Sequence, residues 1–139
     1  MKSTFKLFLF TAFLATISFG CGNVSEKLPE TVPVAEAKEN IKAGSICTIE
    51  DGDGYGIVKV LVINDEEAHI KIYKNKYESR PEKVDLSTLG MGSITDGGGF
   101  GIGHIPLRRK GFDNWKPVPV AFEAVTEEDL EGYNIWKNQ

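Results

Sequence analysis

The chain is 139 residues long, with 16 Lys and Arg against 20 Asp and Glu and a formal net charge of −4 at pH 7. That length holds one domain with one hydrophobic core that needs no disulfide staples, and 41% apolar and 26% charged residues are the fractions of an ordinary soluble domain. A mildly acidic balance argues against a nucleic-acid partner, which requires a basic face.

The chain opens with a short basic start carrying Lys2 and Lys6, followed by an apolar run over residues 7–19 broken by Thr11, Thr16 and Ser18, then Gly20 and Cys21. A basic head, a short apolar middle and a small residue at the cut describe an export signal. The run is shorter than the roughly 20 apolar residues that a membrane-crossing helix needs. Residues 1–21 resemble a bacterial lipoprotein signal peptide, whose usual box is Leu, a small or aliphatic residue, Gly or Ala, then Cys. Here Ser18, Phe19 and Gly20 precede Cys21; Ile17 lies one place early and Phe19 is bulkier than the pattern. The resemblance implies that residues 1–20 are removed and that Cys21 becomes the first residue, carrying the lipid anchor. It also implies a bacterial cell-envelope protein whose partner is the membrane through that anchor. Gly22 is not a retention signal of the Asp type, so the outer membrane is the default in a two-membrane cell. Stable anchoring takes more than one acyl chain, which lipoprotein chemistry supplies. The 16 basic residues less Lys2 and Lys6 leave 14 against 20 acidic ones in the exported part, a net of −6.

The two cysteines pose a fork. With Cys21 acylated, Cys47 is a small buried residue on a strand; with Cys21 free, a Cys21–Cys47 bridge is open in an oxidising envelope.

Residues 21–42 read as a tether: Pro29 and Pro33 block a helix and no apolar period is sustained. Residues 43–139 form the single globular domain. Residues 45–50 are a short strand, and Asp51-Gly52-Asp53-Gly54 is a hairpin turn. Residues 55–63 are apolar at nearly every place around Lys59, as a central strand covered on both sides is. After the turn at 64–67, residues 68–77 alternate, which sends Ala68, Ile70 and Ile72 inward and His69, Lys71, Tyr73 and Asn75 outward. A fourth strand is expected within 84–89 or 91–95, then a glycine-rich loop over 96–104, a short helix within 107–115 and an edge strand over 118–125 held there by Pro117 and Pro119. Thr126 and Asp129 have the spacing of a capping box, Val125 and Leu130 that of a hydrophobic staple, and Leu130, Tyr133 and Trp136 line one face of a closing helix. The fold class is α+β: a strongly curved antiparallel sheet of four or five strands with a C-terminal helix, closure into a small barrel being the alternative.

No catalytic, cofactor or metal motif stands out: there is no HExxH, no paired CxxC and no G-x-S-x-G, and no cofactor is expected. The Asp51–Gly56 run cannot be a calcium loop of the helix–loop–helix type, because Tyr55 and Val62 stand where oxygen ligands belong. The glycine run either bends the chain or lets a partner approach its backbone. Asp96, Phe100, His104 and Arg108 are therefore the candidate binding residues, His104 as a ligand contact, a pH-sensitive hydrogen bonder or a tie between two segments. Lys71, Lys74, Lys76, Arg80 and Lys83, with Tyr73 and Tyr77 among them, form either a local basic face or an exposed strand face. Cys47, His69 and His104 are the residue types of a cysteine hydrolase, but Cys47 lies inside a strand rather than at a helix start. The segments 55–61, 100–107 and 125–133 resemble blocks of small bacterial proteins that have no assigned activity, and the likeness transfers no catalytic residues. The expectation is a lipid-anchored, non-enzymatic module for a protein or cell-wall partner. An immunity or inhibitor protein against a secreted toxin or hydrolase is the alternative, with the cysteine hydrolase behind both.

Overall fold

The computed structural model describes residues 40–95 and 97–139; the leader, Cys21, most of the tether and Asp96 lie outside the described residues. Strands β1 (Ser45–Asp51), β2 (Gly54–Ile63), β3 (Glu67–Tyr77), β4 (Ile102–Arg108) and β5 (Val118–Phe122) form one sheet in the order β4-β3-β2-β1-β5. Every pairing is antiparallel. Helix α1 (Arg109–Asn114) follows β4, and α2 (Glu131–Lys137) closes the chain. This is the expected α+β architecture. The sheet stays open, with β4 and β5 as its two edges, so the barrel alternative is not realised.

Local chemistry accounts for the meander. Asp51 pairs with Gly54, leaving a two-residue loop in which Gly52 alone has a positive φ, 64°, as the first position of a II′ turn requires. At the next turn the Asn64 side chain accepts hydrogen bonds from the Glu66 and Glu67 N–H groups at 2.8 and 2.9 Å, the Asx geometry that suits Asn there. Register shifts interrupt the β1–β5, β2–β3 and β3–β4 ladders, and such bulges increase local twist.

Both faces of the sheet are covered. On one, Cys47, Val58, Val60 and Ile70 pack with Phe112 of α1, and Ile41 joins them, so the folded unit begins slightly ahead of residue 43. On the other, Ile46, Ile57 and Tyr73 pack beneath Val84, Leu86, Leu89 and Met91. Two expectations change here. His69 and Tyr73 are buried rather than outward, because α2 and the 84–91 segment cover the face that alternation left to solvent. The fourth strand is not in 84–95, which holds only a 3-10 turn (Leu86–Thr88) capped by Asp85 and a lone bridge from Gly92 to Phe100. It is β4, which begins in the last residues of the expected glycine loop and runs on through Arg108. Glycine weakens a strand's signal, but Ile105 and Leu107 bury against the Phe112 cluster and hold the pairing to β3.

The reciprocal bonds of the capping box form, but around the turn at 127–130 rather than on the helix itself, because α2 begins only at Glu131 and its N-cap, Leu130, has no side-chain cap. Thr126 N–H donates to Asp129 Oδ2 at 3.1 Å, and Asp129 N–H donates to Thr126 Oγ1 at 3.2 Å.

Candidate functional site

The face beneath α2 is built from charge. Lys59 stands directly opposite Lys71 in the β2–β3 register, a like-charge pair that is unfavourable by itself. Lys59 is 1% exposed, and its ammonium donates to Asp129 Oδ2 at 2.8 Å, Glu123 Oε2 at 2.6 Å and the Ala124 carbonyl at 3.0 Å. Lys71 donates to the other Asp129 oxygen, Oδ1, at 2.8 Å. One carboxylate thus bridges both lysines and caps the start of the closing segment. Burial pushes the Asp129 carboxyl up, but hydrogen bonds from Lys59, Lys71 and the Thr126 N–H outweigh it and hold the group well below the usual carboxylate range. For Lys59, burial works against the charged form, while the hydrogen bonds and charges of Asp129 and Glu123 reverse it and raise the pKa.

Beside this network lies a histidine pair. His69 Nδ1 and His104 Nε2 are 2.9 Å apart, with the two rings nearly parallel at 5°. His69 is fully buried. Tyr133 and Trp136 of α2 meet its ring edge-on, with centroids at 4.8 and 4.5 Å. Gly132 allows this docking: a Cβ there would come within 2.5 Å of the His104 Cβ. Burial, then the neighbouring His69, pull the His104 pKa below its ordinary value.

The opposite face carries an open groove of about 740 Å³. Ile49 and Ile72 form its floor, with Trp115, Phe100, Ile102 and Lys74 around them. Phe100 is 53% exposed. Lys76 is paired with Asp51 at 2.7 Å, while Lys74 has no ion pair among the described residues. Gly98 and Gly99 of the glycine run border the groove. A Cβ at Gly98 would touch nothing within 4 Å, and only Gly99 of the two has a positive φ, 82°. Packing inside the domain therefore gives no reason for a glycine at position 98.

The sequence-derived candidates do not converge on one site. Phe100 stands at the groove, His104 lies beneath α2 on the other face, and Arg108 is exposed at the end of β4 beside Glu67 and Trp136. Asp96 lies outside the described residues. The basic run breaks up as well: Lys71 and Lys76 are neutralised, and Arg80 lies over the Tyr55 ring at 4.6 Å and donates to Thr48 Oγ1 at 2.8 Å. Cys47 sits in the core with its thiol pushed by burial up to about 12. His69 alternates with Ala68 and Ile70 of that same core cluster and points to the opposite face, so thiol and imidazoles are separated by the sheet. Among the described residues no three metal-ligating side chains converge, and no helix is long and apolar enough to cross a membrane. No protein-family model, no curated protein and no solved structure matches the chain.

Sequence reasoning missed the Lys59–Asp129–Lys71 bridge and the histidine pair. A signal for the first was present: a lysine in the middle of an apolar run that reads as buried on both faces needs an acidic partner. For the second there was none, since only the tertiary fold lays α2 over His69.

Proposed function

We propose that this chain is a lipid-anchored, non-enzymatic binding module of the bacterial cell envelope that takes a protein or cell-wall partner in the groove beside its glycine run. The groove itself carries the reading: an exposed aromatic ring, aliphatic residues and a lysine with no ion pair among the described residues share an open cleft bordered by a glycine against which no described residue packs. Apolar lining with a few placed polar groups is the usual chemistry of a recognition site. The anchor at Cys21, which the leader implies, would tie the domain to the membrane through the tether. Nucleophilic chemistry receives no support, because a thiol at about 12 stays protonated at neutral pH and in the core it meets no substrate.

The test is a photo-reactive benzophenone analogue of phenylalanine placed at position 100 in the anchored full chain in envelope membranes. A single adduct is expected, lost when Gly98→Leu narrows the groove. No specific adduct from a folded, lipidated protein would count against the reading. An adduct with a secreted toxin or hydrolase would make the module an inhibitor.

A further inference from the structure

Two imidazoles 2.9 Å apart share one proton on the line between them. Their surroundings decide which ring supplies it. His69 Nε2 is buried without a hydrogen bond among the described residues, and Glu67 Oε1 lies 3.2 Å away, off the N–H direction. A carboxylate beside that nitrogen favours a proton on it. His69 Nδ1 is then the acceptor, and His104 Nε2–H the donor. His104 Nδ1 remains as the open nitrogen of the pair, on the side where Gly132 packs and a small cleft opens. A second proton arriving at the pair goes there without breaking the hydrogen bond, and it turns His104 into an imidazolium beneath α2.

The charged and titratable groups around the pair come from three elements. β3 supplies Glu67 and Lys71, β4 supplies Arg108, and the closing segment supplies Glu128, Asp129, Glu131, Tyr133 and Lys137. Asp129 is committed to Lys59 and Lys71. Glu128 and Glu131 face water, which screens them as partners for a new cation, and the half-buried Glu67 lies at His69 Nε2, on the far ring of the pair from His104 Nδ1. The imidazolium would thus be covered by Gly132, Tyr133 and Trp136 without a committed counter-charge, and it gains hydration if α2 lifts.

The geometry points to a proton-operated latch: the neutral His69–His104 pair holds α2 on the sheet, and protonation of His104 releases it. Release is local. Asp129 keeps its lysine partners at mildly acidic pH, so the start of the closing segment remains fixed while Tyr133 and Trp136 swing away. The lifted helix would uncover His69 and its own aromatic face, independently of the groove on the other side of the sheet. The direction of the His104 shift agrees: a folded value below the ordinary one of about 6.5 means that the docked form loses stability as pH falls below that point.

Hydrogen exchange of the full chain at pH 7.5 and 5.0, corrected for intrinsic rates, tests the latch. Amides in 131–137 should exchange several-fold faster at pH 5.0 while those of β2 do not change. In His104→Gln, whose Nε2–H₂ can still donate to His69 Nδ1 but does not titrate, the difference should vanish. Unchanged protection of 131–137 in the native chain would overturn the proposal, as would a full pH response in the variant, which would move the effect to the carboxylates. Should His104→Gln fail to fold, an NMR titration of the native imidazoles decides. The His104 midpoint must coincide with loss of α2 protection, and separate midpoints would overturn the latch.

Discussion

Replacing Asp129 removes the charge that two facing lysines share, and the atoms involved let the cost be divided. Lys59 Nζ and the Thr126 N–H both meet Oδ2, at 2.8 and 3.1 Å, whereas Lys71 Nζ meets Oδ1 at 2.8 Å. In Asp129→Asn the amide oxygen can occupy the Oδ2 position and keep the first two contacts. The amide NH₂ then faces Lys71, donor against donor. Lys71 is 20% exposed and can turn to water, and Glu123 still neutralises Lys59 at 2.6 Å. The loss is therefore about one hydrogen bond to a charged group, roughly 1.5–3 kcal/mol. Asp129→Ala removes all three contacts and leaves Lys59, 1% exposed, with the half-exposed Glu123 as its remaining carboxylate. Breaking a buried pair in this way costs about 3–5 kcal/mol, a large part of the about 5–15 kcal/mol that holds a small domain. Urea denaturation should rank native above Asp129→Asn above Asp129→Ala at constant m. Adding Lys59→Met to Asp129→Ala should recover stability, because it removes the stranded cation. An Asp129→Ala loss below about 1 kcal/mol, the value of an exposed pair, would refute the reasoning, and so would a Lys59→Met addition that recovers nothing.

Other expectations follow from single positions. Asp129 has a folded pKa below its unfolded value of about 3.9, so its contribution is intact above about pH 4 and is lost as pH falls further. Asp129→Asn should flatten the acid limb of a stability–pH curve measured by denaturation. Gly132→Ala drives a Cβ to 2.5 Å from the His104 Cβ and should cost about 1–3 kcal/mol through overpacking, read as a lower Tm with faster exchange in α2. Gly98→Ala meets open space at an unstrained φ and should leave the Tm unchanged or slightly higher. Cys47→Ser places a hydroxyl among Val58, Val60 and Phe112 and should cost about 1–3 kcal/mol in denaturation while partner capture persists; capture abolished in a variant that remains folded would restore a chemical role for the thiol.

Much of what is local was legible in the sequence, though the Asp85-capped turn at Leu86–Thr88 was not. The Asp51–Gly54 turn, the alternation of β3 and the reciprocal Thr126–Asp129 bonds each rest on residues within a few places of one another, and each is present, although the helix begins only at Glu131. β4 escaped because Gly103 and Pro106, with Gly101 just ahead, dilute its pattern, and what makes it a strand is pairing with residues 67–72, thirty or more places earlier. The candidate site failed for a related reason. Phe100 and His104 lie four apart in the chain, yet the entry into β4 turns the first toward the groove and the second under α2. His69 looked outward because alternation says which residues share a face and not what covers that face. Asp129 was legible as a cap, but its hold on Lys59, 70 residues away, depends on where the sheet brings that lysine.

The central claim is that the groove is the recognition surface, and crosslinking from two positions tests it most directly. The benzophenone analogue goes in turn at Phe100, on the groove, and at Ile135, which is exposed on α2 across the sheet. One specific partner captured from position 100 and absent from position 135 is the expected result. Capture from position 135 alone would move recognition to the α2 face and contradict the account.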